Sequence, residues 1–327
     1  MKRALVTGIT GQDGFYLTAL LLDRGYEVHG LVRDASRAAD SEVARLPGRH
    51  PGHPPLRLHV ADLGDARSLA DLLQRSEPDE IYHLAGQTQV ASSFEDPEYM
   101  TEVGALGTLR LLEATRRAGG GARFFHAASS EMFGDADRSP QDEETPFRPE
   151  NPYAAVKLYA FTMVRIYRRA HGLFACNGIL YNHESPHRAE GFVTSKVTRA
   201  AAAIAAGRER RLTLGNLEAR RDWGYAGDFV EGFWSMLQAA EPDDYVLATG
   251  QTHSVRELCD LAFRRVGLDY RDHVQSDPRH ERPLDRHAPC GNAARAREKL
   301  GWRPRVAFPE LVSMMVDAAR TRLGPGP

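Results

Sequence analysis

The sequence predicts an α/β protein organised on a doubly wound parallel sheet. Three observations predict it. A short apolar strand, Arg3 to Thr7, runs straight into a glycine-rich turn and then into a helical period. Strand and helix patterns go on alternating through the first half of the chain. A later apolar strand, Arg123 to Ala128, ends in Ser129-Ser130-Glu131, which sets two hydroxyls and a carboxylate at the sheet end where ligands bind.

The elements follow in order. Arg3 to Thr7 is short, apolar and β-branched, as a buried parallel strand should be. Gly8-Ile9-Thr10-Gly11-Gln12-Asp13-Gly14 comes next, and Tyr16, Leu17, Leu20, Leu21 and Leu22 give a helix up to Gly25. Glycines at this spacing let the backbone turn tightly and approach a pyrophosphate, whose charge then sits on the helix N-terminus. The unit is Rossmann-type, with Gly8, Thr10, Gly11, Gln12, Asp13 and Gly14 as cofactor contacts. Glu27 to Val32 is the second strand, and Arg33, Ser36 and Arg37 follow it. An arginine there accommodates a ribose 2′-phosphate, which favours NADP over NAD, while the carboxylate of Asp34 argues the other way. Arg37 to Pro55 reads as a surface loop with at most a short helix. Leu56 to Val60 is the third strand, with Asp62 and Leu63 beyond it at the adenine. Ala66 to Gln74 is helical, and Glu80 to Leu84 is the fourth strand. Leu84, Ala85 and Gly86 are small enough for a cofactor to cross. Gln87 to Phe94 reads as a polar loop bordering the nicotinamide or the substrate, with Gln87 and Ser92 as candidates. Tyr99 to Gly119 has a helical period.

Beyond the Ser-Ser-Glu strand, Tyr153 and Lys157 are four apart and share one helix face. An ammonium one turn from a phenol stabilises the phenolate, so the tyrosine pKa is expected to fall towards neutrality. Such a tyrosine takes a proton from a hydroxyl and returns it. Further on, Thr194 to Ala206 is a small-residue helix, and Arg208 to Arg211 is a solvated charge run. Arg220-Arg221-Asp222-Trp223 supplies guanidinium forks suited to a diphosphate. Asp228 to Gln238 reads as a helix returning to the first unit, and Tyr245 to Ala248 as a strand. Ser254 with Glu257 caps another helix. His280 to Arg286 is a charged loop without an apolar stripe, expected to close over substrate. Residues 309–323 form a terminal amphipathic helix.

Composition narrows the function. The chain has 327 residues, a formal charge of −2, 42% hydrophobic and 26% charged residues, which is ordinary for a globular protein. That charge gives no reason to expect nucleic acid or an anionic membrane as partner. The three cysteines have neither metal nor pairing spacing. No charged-then-apolar leader and no membrane-length apolar run is present, so a cytoplasmic location is expected. The 13 histidines show no ligand spacing, and no metal is assigned.

The chain resembles the extended short-chain dehydrogenase/reductases and, within them, the GDP-mannose 4,6-dehydratases. The resemblance rests on Thr7-Gly8-Ile9-Thr10-Gly11-Gln12-Asp13-Gly14, Ser130-Glu131-Met132-Phe133-Gly134 and Pro152-Tyr153 through Ala160. It continues through Asn177 to Pro186, Phe192-Val193-Thr194, Leu214-Gly215-Asn216-Leu217, Arg220 to Gly224 and Lys299-Leu300-Gly301-Trp302. It runs over nearly the whole chain. It implies Ser129, in place of the family's threonine, with Glu131, Tyr153 and Lys157 as the catalytic group. It places His183 and Arg188 on the cofactor, and Asn182, Arg221 and Arg282 on the nucleotide diphosphate. Val193, Leu214 and Gly215, in the same shared segments, and Lys196 shortly after the first of them complete the expected substrate contacts. The chain departs from the family's pattern at Asp34, at His187 and at Leu284-Asp285.

The resemblance implies a homo-oligomer, dimer or tetramer, that converts a GDP-sugar with NADP. It also implies a smaller mixed α/β C-terminal substrate domain. Residues 1–177 are expected to form the cofactor unit, with 222–250 returning to it, and 178–221 with 251–327 the substrate unit. The reaction expected is C4 oxidation, loss of water across C5 and C6, and hydride return to C6. Alternatives are another GDP-sugar such as a heptose, an epimerase or 4-reductase on the same scaffold, or a cofactor-binding scaffold without catalysis. The carboxylate of Glu131 separates these, because an epimerase or reductase has no elimination to perform.

Overall fold

The computed structural model describes residues 1–39, 41–46, 55–280 and 289–324. Seven parallel strands form the central sheet: β1 (Arg3–Thr7), β2 (Glu27–Val32), β3 (Leu56–Val60), β4 (Glu80–His83), β5 (Arg123–Ser129), β6 (Ala175–Leu180) and, far along the chain, β11 (Asp244–Leu247). Their spatial order is β3-β2-β1-β4-β5-β6-β11. The order reverses between β1 and β4, and a doubly wound sheet opens its ligand crevice beyond the strand ends at that reversal.

Side-chain alternation sorts the sheet between two cores. Ala4, Val6 and Val28 face α1 (Gln12–Asp23), α6 (Ala226–Gln238) and Trp302. Leu5, Leu31, Ile81 and Phe124 face the other way. They pack on α2 (Ala66–Ser76), α3 (Gly107–Arg117) and α4 (Pro152–His171). A third core joins α5 (Val193–Ala205), α7 (Val255–Arg265) and α8 (Phe308–Leu323) through Val197, Leu258, Phe263 and Val312. This C-terminal part carries short pairings between distant segments. β7 (Asn182–Glu184) pairs with β10 (Trp223–Tyr225), β9 (Arg220–Arg221) with β12 (His253–Ser254), and β8 (Leu212–Leu214) with β13 (Val274–Ser276).

Three expectations are corrected. The stretch expected as a polar loop from Gln87 to Phe94 turns into a short helix at Val90–Glu95. The single helix expected from Tyr99 to Gly119 begins at Pro97–Met100, capped by Asp96, and passes through a π turn at Thr101–Leu106 before α3. Gly104 and Gly107 lie in or beside that turn, and an added Cβ would come within 2.5 Å of Val156 and 2.9 Å of Leu63. The turn thus brings backbone against α4 where no side chain fits. Where the sequence predicts a loop with at most one short helix from Arg37 to Pro55, the described residues carry two, an α-helix at Ala35–Ala39 that starts before Arg37 and a 3-10 helix at Val43–Arg45. Most of the expected lid, including Arg282, lies outside the described residues, as do residues 47–54.

Candidate active site

A cavity of about 320 Å³ opens at the strand ends between the sheet and the C-terminal part. Its floor is Ala127 to Glu131, where β5 ends and the turn Ser130–Phe133 begins. Ser129 Oγ accepts the N–H of Glu131 at 3.2 Å, which folds the carboxylate-bearing residue back over the strand end. α4 starts one residue before Tyr153, with Pro152 in its first turn and Asn151 as cap. Tyr153 and Lys157 therefore descend one helix face into the cavity, and both are buried. Lys157 Nζ donates to the Ala127 carbonyl at 2.7 Å.

The expectation of a depressed tyrosine pKa is not met. Burial pushes the Tyr153 phenol up to about 12, opposed by a hydrogen bond with Ser129. Burial brings the Lys157 ammonium down to about 8. The ammonium lies 5.9 Å from the phenol ring centroid and is held by a backbone carbonyl. Low dielectric around both groups outweighs their mutual influence.

The glycine turn meets the requirements of a dinucleotide. Gly8 sits at φ +70°, and a Cβ there would come 2.8 Å from the Ala85 backbone nitrogen. A Cβ on Gly14 would come 2.4 Å from the Ile9 carbonyl oxygen. Gly11 begins α1 in extended conformation with no side-chain cap, so the helix N-terminus keeps its N–H donors for an anion. Thr7 Oγ1 accepts the Ala85 N–H at 3.1 Å and so ties the Leu84-Ala85-Gly86 crossing to β1.

Gln12 and Asp13 reach the C-terminal part directly. Gln12 donates to the His183 carbonyl at 2.9 Å and accepts from Ser185 at 2.8 Å. His183 lies between two acceptors, the Tyr181 carbonyl at 2.7 Å on Nδ1 and Asp13 at 2.9 Å on Nε2, and stacks on Phe229. A ring that donates from both nitrogens is an imidazolium. Burial opposes both charges. The pairing outweighs it, holding Asp13 below its ordinary 3.8 and His183 above its ordinary 6.5.

The signs give a pH prediction. The Asp13 contribution is complete above 3.8 and lost as pH falls through the depressed value. The His183 contribution is complete below 6.5 and lost as pH rises through the raised value. His183→Gln should therefore cost about 2 kcal/mol between those limits and progressively less towards alkaline pH. Thermal unfolding of both proteins across pH measures this, and a gap independent of pH would show that the pair carries no charge.

The other expected residues divide. Asn182, Arg188, Val193, Lys196, Leu214, Gly215 and Arg221 line the cavity. Arg188 pairs with Glu184 at 3.0 Å and lies over Phe192. Arg221 donates to the Arg220 carbonyl at 2.7 Å. Gln87 and Ser92 instead bond each other at 2.6 Å, and Thr88, Gln89 and Val90 between them line the cavity. Arg33 bonds the Tyr99 hydroxyl, and Ser36 donates to Asp34 from both its N–H and its hydroxyl. Asp62 accepts the Gly64 N–H at 2.7 Å, and Leu63 is buried. His187 pairs with Glu42 at 2.7 Å and stacks on Phe15. The sequence reading missed Thr88, Gln89, Glu184 and Asn216. Polar loop composition pointed to the right stretch at 88–89 but not to which side chains face inward. Among the described residues no cluster suited to a metal ion is found, and no helix is long and apolar enough to cross a membrane.

The family described as GDP-mannose 4,6 dehydratase matches residues 5–315. The chain is 51% identical over 322 residues to GDP-mannose 4,6 dehydratase 1 of Arabidopsis thaliana, spanning 97% of this chain and 89% of that protein. It is 44% identical over 345 residues to the GDP-mannose 4,6-dehydratase of Vibrio cholerae, spanning 96% and 93%. Among solved structures, RMD from Pseudomonas aeruginosa complexed with NADPH has a TM-score of 0.81 at 27% identity, covering 98% of this chain and 100% of that one. DesIV, a dTDP-glucose 4,6-dehydratase from Streptomyces venezuelae solved with NAD, has a TM-score of 0.84 at 26% identity, covering 98% of each. Matched along nearly its whole length, the chain belongs to the GDP-mannose 4,6-dehydratase family.

Proposed function

We propose that the chain converts GDP-mannose to GDP-4-keto-6-deoxymannose as an NADP-dependent hydro-lyase. The observation that carries this is the carboxylate of Glu131 on the same cavity as Ser129, Tyr153 and Lys157. In this reading Tyr153 takes the proton from the C4 hydroxyl, and Ser129 holds the C4 oxygen. A bound nicotinamide would supply the hydride acceptor for C4 and the hydride donor for C6. The C4 ketone acidifies the C5 proton, which Glu131 removes. Glu131 then gives that proton to the departing C6 hydroxyl, so that water is lost, and the proton held by Tyr153 returns to C5 as hydride reaches C6, which restores both residues with no net oxidation. Lys157 holds the nicotinamide ribose. Asn182, Val193, Lys196, Leu214, Gly215 and Arg221 surround the nucleotide sugar.

The cofactor is held by Gly8 to Gly14, Asp62 to Leu63, Leu84 to Gly86, His183 and Arg188, with Arg33 and Ser36 at the ribose phosphate. The fold of Asp34 back onto Ser36 supports NADP, because it directs the carboxylate into its own turn. Residues 1–177 with 222–250 form the cofactor unit, carried on to Leu180 by β6, and the packing of α6 and β11 in the seven-stranded layer supports this division. The remaining C-terminal segments form the substrate unit. Tyr159 and Ile166, seven residues apart on the outer face of α4 and 39% and 44% exposed, favour a homo-oligomer.

The test is incubation with GDP-mannose without added cofactor, followed by mass spectrometry of the nucleotide sugar. Loss of one water without net change in NADPH is expected. Water loss only from a different GDP-sugar would reassign the substrate. No water loss from any, with NADP supplied, would overturn the role of Glu131.

A further inference from the structure

Asn151 bridges the two elements that carry the chemistry. Its Oδ1 accepts the Ala154 N–H at 2.8 Å and caps α4, the helix of Tyr153 and Lys157. Its Nδ2 donates to Glu131 Oε2 at 3.3 Å. The cap requires the amide oxygen, so the NH₂ group is left to face the carboxylate, and the orientation of the amide is fixed by its two partners. Among the described residues this is the one side-chain hydrogen bond given to the Glu131 carboxylate. Glu131 sits on a single short turn, Ser130–Phe133.

We propose that Asn151 is a positioning residue for the elimination step, holding the Glu131 carboxylate in register with the Tyr153 phenol. It leaves Oε1 to meet the C5 proton. The proposal rests on the reading of Glu131 as the C5 base. It concerns elimination rather than C4 oxidation, because the catalytic side chain that Asn151 bonds is Glu131 and not Tyr153. The two functions of Asn151 use different atoms, so substitution can separate them. Serine and aspartate both cap helices about as well as asparagine, but neither gives the carboxylate an amide donor. Alanine removes the cap as well.

The experiment compares Asn151→Ser, Asn151→Asp, Asn151→Ala and Glu131→Gln with the parent. Each is given GDP-mannose and NADP, and mass spectrometry of quenched samples separates sugar oxidised at C4 from sugar that has also lost water. Asn151→Ser and Asn151→Asp should oxidise C4 at near-parental rate, with Asn151→Ser melting close to the parent and Asn151→Asp somewhat lower, because its carboxylate repels that of Glu131. Their water loss should be roughly tenfold to a hundredfold slower, the scale set by a misplaced catalytic group, so that the C4-oxidised sugar accumulates. Asn151→Ala should show the same accumulation with a lower melting temperature. Parental ratios of dehydrated to oxidised sugar in both capping variants, with Glu131→Gln blocked, would overturn the role of Asn151. Parental water loss by Glu131→Gln would instead overturn the reading of Glu131 itself.

Discussion

Tyr153→Phe is expected to lower turnover by about 10³-fold, within the range for losing a general acid–base group, while the protein folds as before. The phenol is buried at the strand end, so the substitution removes one oxygen and leaves the ring in its packing with Met100, Ala105 and Val156. Melting temperature should change by only a few degrees. The direction of the pKa shifts adds a second readout. Burial keeps the phenol protonated, up to about 12, and burial lowers Lys157 to about 8. Below pH 8 the phenolate becomes more available as pH rises while Lys157 keeps its charge. Above it, the ammonium that attracts the phenolate is lost. The parental rate of C4 oxidation should therefore climb with pH and stop climbing near 8. Oxidation by Tyr153→Phe at the parental rate would remove the tyrosine from the mechanism.

That pH behaviour differs from what an i, i+4 tyrosine and lysine suggest by spacing alone, and the difference shows what a sequence carries. Spacing gives the shared helix face. It does not give burial, and burial dominates both groups here. The same division runs through the molecule. The sheet strands were readable because each is a short apolar run between turn residues, and α1 because Leu17, Leu21 and Leu22 repeat on one face. The helix at Val90–Glu95 was not, because six residues are too few to show a period. The π turn before α3 follows from close approach to Val156 and Leu63, which are distant in sequence. The pairings of β7 with β10 and β9 with β12 are likewise non-local.

Buried polar residues were the least legible. His83 and His126 have no distinguishing context in the sequence. In the structure both are enclosed between strands and satisfied, His83 by Thr7 at 2.8 Å and Thr108 at 3.0 Å, and His126 by Asn177 at 2.9 Å. Burial lowers His83 to about 3, so it is a neutral ring through the working range of pH. Thr7 accepts the Ala85 N–H and is left to donate to His83 Nδ1. The ring then donates from Nε2 to Thr108, which donates to the Gly104 carbonyl at 2.6 Å. A polar chain with fixed directions thus supports the crossing at Ala85 from beneath, a role that composition and periodicity do not encode.

Asp222→Ala is expected to destabilise the protein by about 3 kcal/mol, the scale of leaving hydrogen-bond donors without their buried acceptor, and to weaken binding of the nucleotide sugar. Asp222 is fully buried between β9 and β10. Its carboxylate accepts from the Thr249 N–H at 2.9 Å, the Thr249 hydroxyl at 2.6 Å, the Gly250 N–H at 2.9 Å and the Gly291 N–H at 3.2 Å. Burial raises its pKa and these donors oppose the rise. Alanine would leave three backbone N–H groups without this acceptor; that of Gly291 is buried and its loss is worth about 1–3 kcal/mol, while those of Thr249 and Gly250 lie nearer solvent and count for less. The neighbouring side chains fix where the damage spreads. Arg221 precedes Asp222 and borders the cavity, and Trp223 follows it into the third core. A Cβ on Gly291 would come 2.3 Å from Ala248 and 2.7 Å from Tyr181, so that segment cannot shift inward to fill the gap. The expected signature is an earlier denaturation midpoint together with a raised KM for GDP-mannose, with kcat less affected than by Tyr153→Phe. Asp222→Asn should lie between parent and alanine, because its oxygen still accepts from Thr249 while its NH₂ faces the glycine donors. A midpoint for Asp222→Ala equal to the parent's would mean that the turn at 249–250 and the segment at 291 are held by other contacts.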